Sequence, residues 1–158
     1  MTRLDKFSNN PVAEWNEDGR TMTMVSGFTY VDPDGILWRV PPTYKVNGSS
    51  IPEMLWSIVG SPYVGKHRFA SIPHDYYCEH MLRSWQKTHR MYYDACITAG
   101  VPATEARVKY FAIRRFGPKW TIQRDPIHQV QRNLSREELA SELYKAQYMS
   151  LGQIEAAA

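Results

Sequence analysis

Two imidazoles and one carboxylate stand out as groups that could do chemistry in this chain. The stretch Ile72-Pro-His-Asp-Tyr-Tyr-Cys78 sets His74 beside Asp75. A near-neutral base next to an acid is the minimum for transferring a proton or holding a metal ion. His89, further along, is the third member. Cys78 follows His74 by four residues and shares its helical face. That makes it a secondary candidate for metal or chemistry, with small buried cysteine as the plainer account.

These side chains meet only if the elements carrying them fold back on one another. Ser84 has the character of a helix N-cap, and the run Trp85–Ala99 ends at Gly100, so a second helix is expected to return along the first across a connection near residues 82 and 83. At about 1.5 Å per residue, His74 and His89 then differ in height by roughly 3 Å, and His74, Asp75 and His89 are expected at one level. Clustered titratable groups of this kind mark sites. The alternative is a buried histidine satisfied by a backbone carbonyl or a tyrosine hydroxyl, for which Tyr76, Tyr77, Tyr92 and Tyr93 are at hand. Asp75 could then simply favour a helix start. The same hairpin separates Cys78 and Cys96 by roughly 13 Å in height, beyond disulfide reach, so free thiols are expected.

Pro73 is awkward inside a helix, since it lacks an N–H and its ring clashes with the preceding turn. The helix is therefore expected to begin or bend there, presenting His74 and Asp75 from its N-terminal turn, a position friendly to carboxylates and bound anions.

A second candidate is Asn47-Gly-Ser-Ser-Ile-Pro52, in which Asn47, Ser49 and Ser50 would position a substrate or its oxyanion. A turn followed by a serine N-cap explains the same residues equally well. Upstream, Phe28 to Asp32 and Ile36 to Val40 alternate around Asp32-Pro-Asp-Gly35, a β-hairpin with its turn residues in place. Thr43 to Val46 suits a further short strand, and Pro52 to Val59 a short apolar helix. A third helix is expected from near Thr104 until Gly117-Pro118. Its Arg107, Lys109, Arg114 and Arg115, with Lys119 and Arg124 beyond, are the basic concentration of the chain: a solvated helix face first, an anion contact second. Ser135-Arg-Glu-Glu138 is a capping box opening one final helix, with Leu139, Leu143, Ala146 and Ile154 on its apolar stripe.

The 158 residues suit one domain with a core of its own. Residues 1–20 read as an irregular segment, 21–124 as a single α+β domain, and 125–158 as a linker with a C-terminal helix. The fold class expected is α+β: a small antiparallel sheet from the N-terminal third, packed on a helical hairpin plus two further helices. A net charge of +3 falls short of the basic footprint of a nucleic-acid binder, so nucleic acid is not an expected partner. The N-terminus shows no signal-peptide pattern and no segment approaches the ~20 apolar residues of a transmembrane span. A cytoplasmic start is the expectation. The sequence is silent on oligomeric state.

The motifs Asn47-Gly-Ser-Ser-Ile-Pro52, Gly60-Ser-Pro62, His74-Asp-Tyr-Tyr77, Trp85, His89-Arg-Met-Tyr-Tyr-Asp-Ala95, Gly100-Val101, Tyr110 and Phe116-Gly-Pro-Lys-Trp120 together resemble the phage and prophage family catalogued as domain of unknown function 1353, over roughly residues 25 to 120. The resemblance implies bacteriophage or prophage origin, a place in the host cytoplasm or the virion, and a virion or host component as partner. It implies no activity. Many members carry Thr-Asp before the Ser-Ile-Pro turn and Asp in the slot of His89, where this chain has Val46-Asn47 and His89. The loss of two carboxylates disfavours an oxygen-only calcium site and suits a transition metal, zinc or manganese, or a histidine acid/base pair. The His-Asp pair facing a second helix also looks like the arrangement in phospholipases A2, though only His74 and Asp75 match and no glycine-rich calcium loop is present.

Two expectations follow. One is a hydrolase-like site for an ester or phosphoester, with His74 as general base, Asp75 orienting it or binding metal, and His89 as second ligand or acid. The other is a non-catalytic phage structural or host-interaction protein in which the same residues form a polar core network.

Overall fold

The computed structural model describes residues 6–48, 55–61, 63–121, 126–127 and 135–157. The fold is α+β, as the sequence predicts. β4 (Phe28–Val31) and β5 (Leu37–Val40) form the expected hairpin, with Tyr30 opposite Trp38 and Phe28 opposite Val40. Alternation works as the period of two demands: Phe28, Tyr30, Trp38 and Val40 are buried. The turn is locked by Asp32, whose carboxylate accepts from the Asp34 and Ile36 N–H groups and from Trp38 Nε1, each at 2.9 Å. Gly35 supplies the positive φ of 80°.

The segment expected to be irregular carries two short strands. β1 (Lys6–Phe7) pairs with β4, making the order β1-β4-β5, and β2 (Ala13–Trp15) pairs with β3 (Met22–Met24). β3 also pairs with β6 (Lys45–Val46), so the β layer is two three-stranded antiparallel sheets. Strands of two or three residues give too little alternation to be seen in the sequence.

After the four-residue α1 (Trp56–Val59) come α2 (Arg68–His80) and α3 (Trp85–Ala99), the predicted antiparallel hairpin. Ser84 caps α3, its hydroxyl accepting from Lys87 N–H at 3.3 Å, and Gly100 closes it at φ 91°. α2 does not begin at Pro73. It starts five residues earlier, holds Pro73 in its second turn and ends on left-handed Met81. His74 and Asp75 therefore lie mid-helix rather than in an N-terminal turn.

α4 (Ala103–Phe116) packs on α3, and β7 (Lys119–Trp120) pairs with β8 (Pro126–Ile127). The final helix is broken in two, α5 (Arg136–Ala146) with the predicted capping box and α6 (Leu151–Ala157). Tyr92, Tyr110, Met91 and Ile113 centre the larger apolar cluster, to which α5 and α6 add Leu139, Leu143 and Ile154. A smaller one (Met24, Phe28, Val40, Tyr44, Val46, Ile72) lies between the sheets and α2, and Phe7 and Tyr76 pack against both. Among the described residues no helix is long and apolar enough to cross a membrane.

Candidate functional site

The hairpin brings His74 and His89 together. His74 Nε2 lies 2.9 Å from His89 Nδ1, and both residues are 0% exposed. On the far side of His89, Nε2 sits 2.8 Å from the Pro118 carbonyl oxygen. A carbonyl only accepts, so His89 carries its hydrogen on Nε2 and presents Nδ1 as a lone pair; His74 Nε2–H donates to it. Tyr92 meets the His74 ring edge-on at 5.1 Å, while Trp85 and Trp120 lie 5.6 and 6.0 Å from the His89 ring.

The third group is Cys78, not Asp75. Cys78 Sγ is 3.6 Å from His74 Nε2 and 3.8 Å from Nδ1. One ligand atom from each of His74, Cys78 and His89 falls within 4.8 Å of the others, all three residues buried. Of the three residues expected together, His74 and His89 meet, while Asp75, one helical rise from His74, makes its hydrogen bonds elsewhere. Successive helical residues point about 100° apart, and that rotation turns Asp75 toward the sheets. Its Oδ2 accepts from the Asn47 backbone N–H at 3.1 Å and lies 3.0 Å from Tyr44 Oη, whose one hydrogen is shared between it and Glu79 Oε2 at 2.8 Å. Asp75 thus fastens the end of β6 to α2. Asn47 reaches it through its backbone, away from His89; Ser49 and Ser50 lie outside the described residues.

The electrostatics follow from burial. His74 is held well below the ordinary imidazole value by desolvation and then by His89, and His89 is pushed down to about 3 by desolvation, with Arg114 and Lys119 adding to it. The Cys78 thiol is pushed well up by desolvation and by the Asp75 charge. Tyr44 is pushed up by desolvation, then by Asp75 and Glu79, and stays a phenol. The pair and thiol are therefore neutral: soft and borderline donors with little charge, the set that takes a transition ion and not calcium.

The distances suit such an ion. Bonds of about 2.0–2.1 Å to nitrogen and 2.3 Å to sulfur in a tetrahedron put N···N near 3.3 Å and N···S near 3.6 Å. Against the observed 2.9 and 3.6 Å, the two rings need to part by a few tenths of an ångström, and Cys78 Sγ and His89, within 4.8 Å of each other, need to stand near 3.6 Å. The Pro118 carbonyl on the distal nitrogen of His89 is the outer contact that fixes a ligating ring. Cys78 was visible in the sequence four residues after His74; the roles of Tyr44, Glu79 and the Pro118 carbonyl had no sequence signal.

Two curated relatives come from Sinorhizobium fredii. Uncharacterized protein y4jT is 37% identical over 127 residues, covering 79% of this chain and 38% of the relative. Uncharacterized protein y4iH is 35% identical over 103 residues, covering 65% and 43%. The chain thus spans well under half the length of these relatives. No solved structure matches it. The model of the family described as "Protein of unknown function (DUF1353)" matches residues 22–113, more than half of the chain and the whole of the α2–α3 hairpin, and the protein belongs to that family.

Proposed function

We propose that this domain holds a divalent transition-metal ion, zinc by its donor set, through His74 Nε2, His89 Nδ1 and Cys78 Sγ. The observation that carries the proposal is the convergence of these three atoms within 4.8 Å in a fully buried place. Binding would shift the His74 hydrogen to Nδ1 and release the Cys78 proton, while His89 keeps its hydrogen on the Pro118 carbonyl. Three protein ligands leave one tetrahedral position for water, the pattern of catalytic zinc sites. Hydrolysis of an ester or phosphoester by metal-bound water is thus the chemistry to test first. Asp75, turned toward Tyr44, takes no part in it. With both rings sealed, a substrate reaches the ion only when the wall formed by Trp85, Trp120 and Tyr92 opens. The phage or prophage setting and a virion or host partner belong to the same proposal.

A second reading is favoured by the completed hydrogen bonds from His74 through His89 to Pro118: a polar core network in a non-catalytic interaction protein. Metal content separates the two. Untagged protein purified without chelator is expected to carry close to one zinc per chain. Cys78→Ser and His89→Gln should lose it and Asp75→Asn keep it. Protein that takes up no metal even after soaking would leave the network reading alone standing.

A further inference from the structure

The basic residues concentrated in α4 do not share one fate. Lys109 is buried and lies 3.4 Å from Glu105, Arg107 donates to the Gln147 carbonyl at 3.2 and 3.0 Å, and Arg115 lies 3.8 Å from Glu142. Arg114 is different. It is only 7% exposed, and its one hydrogen bond among the described residues runs from Nη2 to the Glu155 carbonyl at 3.0 Å. Its Nε has no partner, and no described carboxylate forms an ion pair with it. Instead the guanidinium lies 4.9 Å from the Trp85 ring centre and 5.9 Å from that of Tyr110. Aromatic faces attract a cation, but burying one without a counter-charge is costly.

Arg114 lines a cavity of about 330 Å³ between α3, α4, α6 and the β4–β5 turn. Lys87 lines it too. Arg90, in the same wall, is committed to Asp94 at 3.4 Å and Glu155 at 3.2 Å. The field at the Trp85 end is already strongly positive: Lys119 Nζ lies 4.9 Å from the same ring, and its ammonium is pushed down by burial and by Arg114 and Arg115. Asp32, Asp34, Asp94 and Glu155 line the cavity as well. The Glu155 carboxylate is engaged by Arg90 at 3.2 Å and by Tyr110 Oη at 3.0 Å, and Asp94 by Arg90 at 3.4 Å, so among the described residues the arginine these acids leave without an ion pair is Arg114.

We propose that the Arg114 side of this cavity binds the oxyanion group of a small molecule, a carboxylate or a phosphate, with Arg114 as the anchoring residue and Lys87 as a second lining cation. A guanidinium fork set beside two aromatic rings suits such a group through its paired N–H donors. The site shares none of the three cluster residues, meets the cluster only through the Trp85 ring and the Arg114 charge, and does not depend on a metal there.

The test titrates the full chain at low ionic strength with inorganic phosphate and with acetate, read by calorimetry and by backbone amide shifts. Saturable binding in the millimolar range by at least one anion is expected, with shifts centred on residues 85–91 and 114 and none from chloride at equal ionic strength. The preferred anion tells phosphate from carboxylate chemistry. Arg114→Gln should weaken binding by about 10-fold or more and Arg114→Lys by less. Arg115→Gln, the same charge change one residue on, should leave it within about twofold. Absence of saturable binding by both anions to the unsubstituted chain overturns the proposal, as does equal loss in the Arg114 and Arg115 variants. Should Arg114→Gln fail to fold, the shift map on the unsubstituted chain decides: shifts scattered over other basic residues would sink the site.

Discussion

His89 is buried at both nitrogens, one facing His74 and one facing the Pro118 carbonyl. Replacing it with alanine leaves two buried polar groups without a partner and a void between Trp85 and Trp120. The expected cost is about 2–4 kcal/mol in urea unfolding, far above that of an exposed histidine. Acid should act through the same residues. His67, His74 and His89 are all held below the usual imidazole range, mainly by burial, His89 at about 3. As pH falls below about 6.5 the unfolded chain takes up protons that the folded, metal-free chain refuses. Stability is therefore complete above that pH and drains away between it and about pH 3. Urea midpoints measured from neutral pH to about pH 4 should fall steadily, and His89→Gln should flatten the decline; superimposable curves would rule out burial in the neutral form. At this scale the approach of His74 to His89 is legible in the sequence, and the direction of Asp75 is not. His74 and His89 were legible because both follow from helix length and one cap. Asp75 points elsewhere because residues adjacent in sequence stand about 100° apart around a helix.

At the scale of elements, the signals that held were caps and turns. Ser84→Ala should destabilise by about 1 kcal/mol, seen as a lower urea midpoint at unchanged slope, because it removes the acceptor for Lys87 N–H at the start of α3. Gly117 is more demanding. A Cβ there would stand 2.3 Å from the Ile113 carbonyl oxygen and 3.4 Å from His89 Nε2. Gly117→Ala is thus expected to cost more than about 2 kcal/mol and to displace the carbonyl that aims His89, so metal retention should fall with stability. The break between α5 and α6 was written in the chain as well. Ser150 and Gln153 cap reciprocally, the serine hydroxyl accepting from Gln153 N–H at 3.2 Å and the glutamine carbonyl from Ser150 N–H at 2.8 Å. That is a second capping box, here serine to glutamine, masked by the apolar stripe that continues to Ile154. Pro73 misled for the opposite reason: packing on both faces of α2 outweighs one missing hydrogen bond.

At the scale of the molecule, two apolar clusters share Phe7 and Tyr76, so neither can come apart without disturbing the other. Far-ultraviolet circular dichroism and tryptophan fluorescence should report one coincident unfolding transition, and two separated transitions would contradict this coupling. α6 adds a clasp, with Glu155 accepting from Tyr110 Oη at 3.0 Å and Arg90 at 3.2 Å, and its backbone carbonyl taking Arg114. Cutting the chain before α6 is expected to lower the thermal midpoint and abolish anion binding together. None of this tertiary closure was legible beforehand, because it joins residues some forty to sixty-five positions apart whose types alone are ordinary surface types.

The carbonyl at the end of the imidazole pair has a further consequence. A relay that shuttles protons needs a group at each terminus able to accept one and pass it on, yet an amide oxygen takes a hydrogen bond and never surrenders a proton. The His74–His89 line is therefore a cul-de-sac: it can fix where two lone pairs aim, but it cannot carry acid or base from one side of the protein to the other.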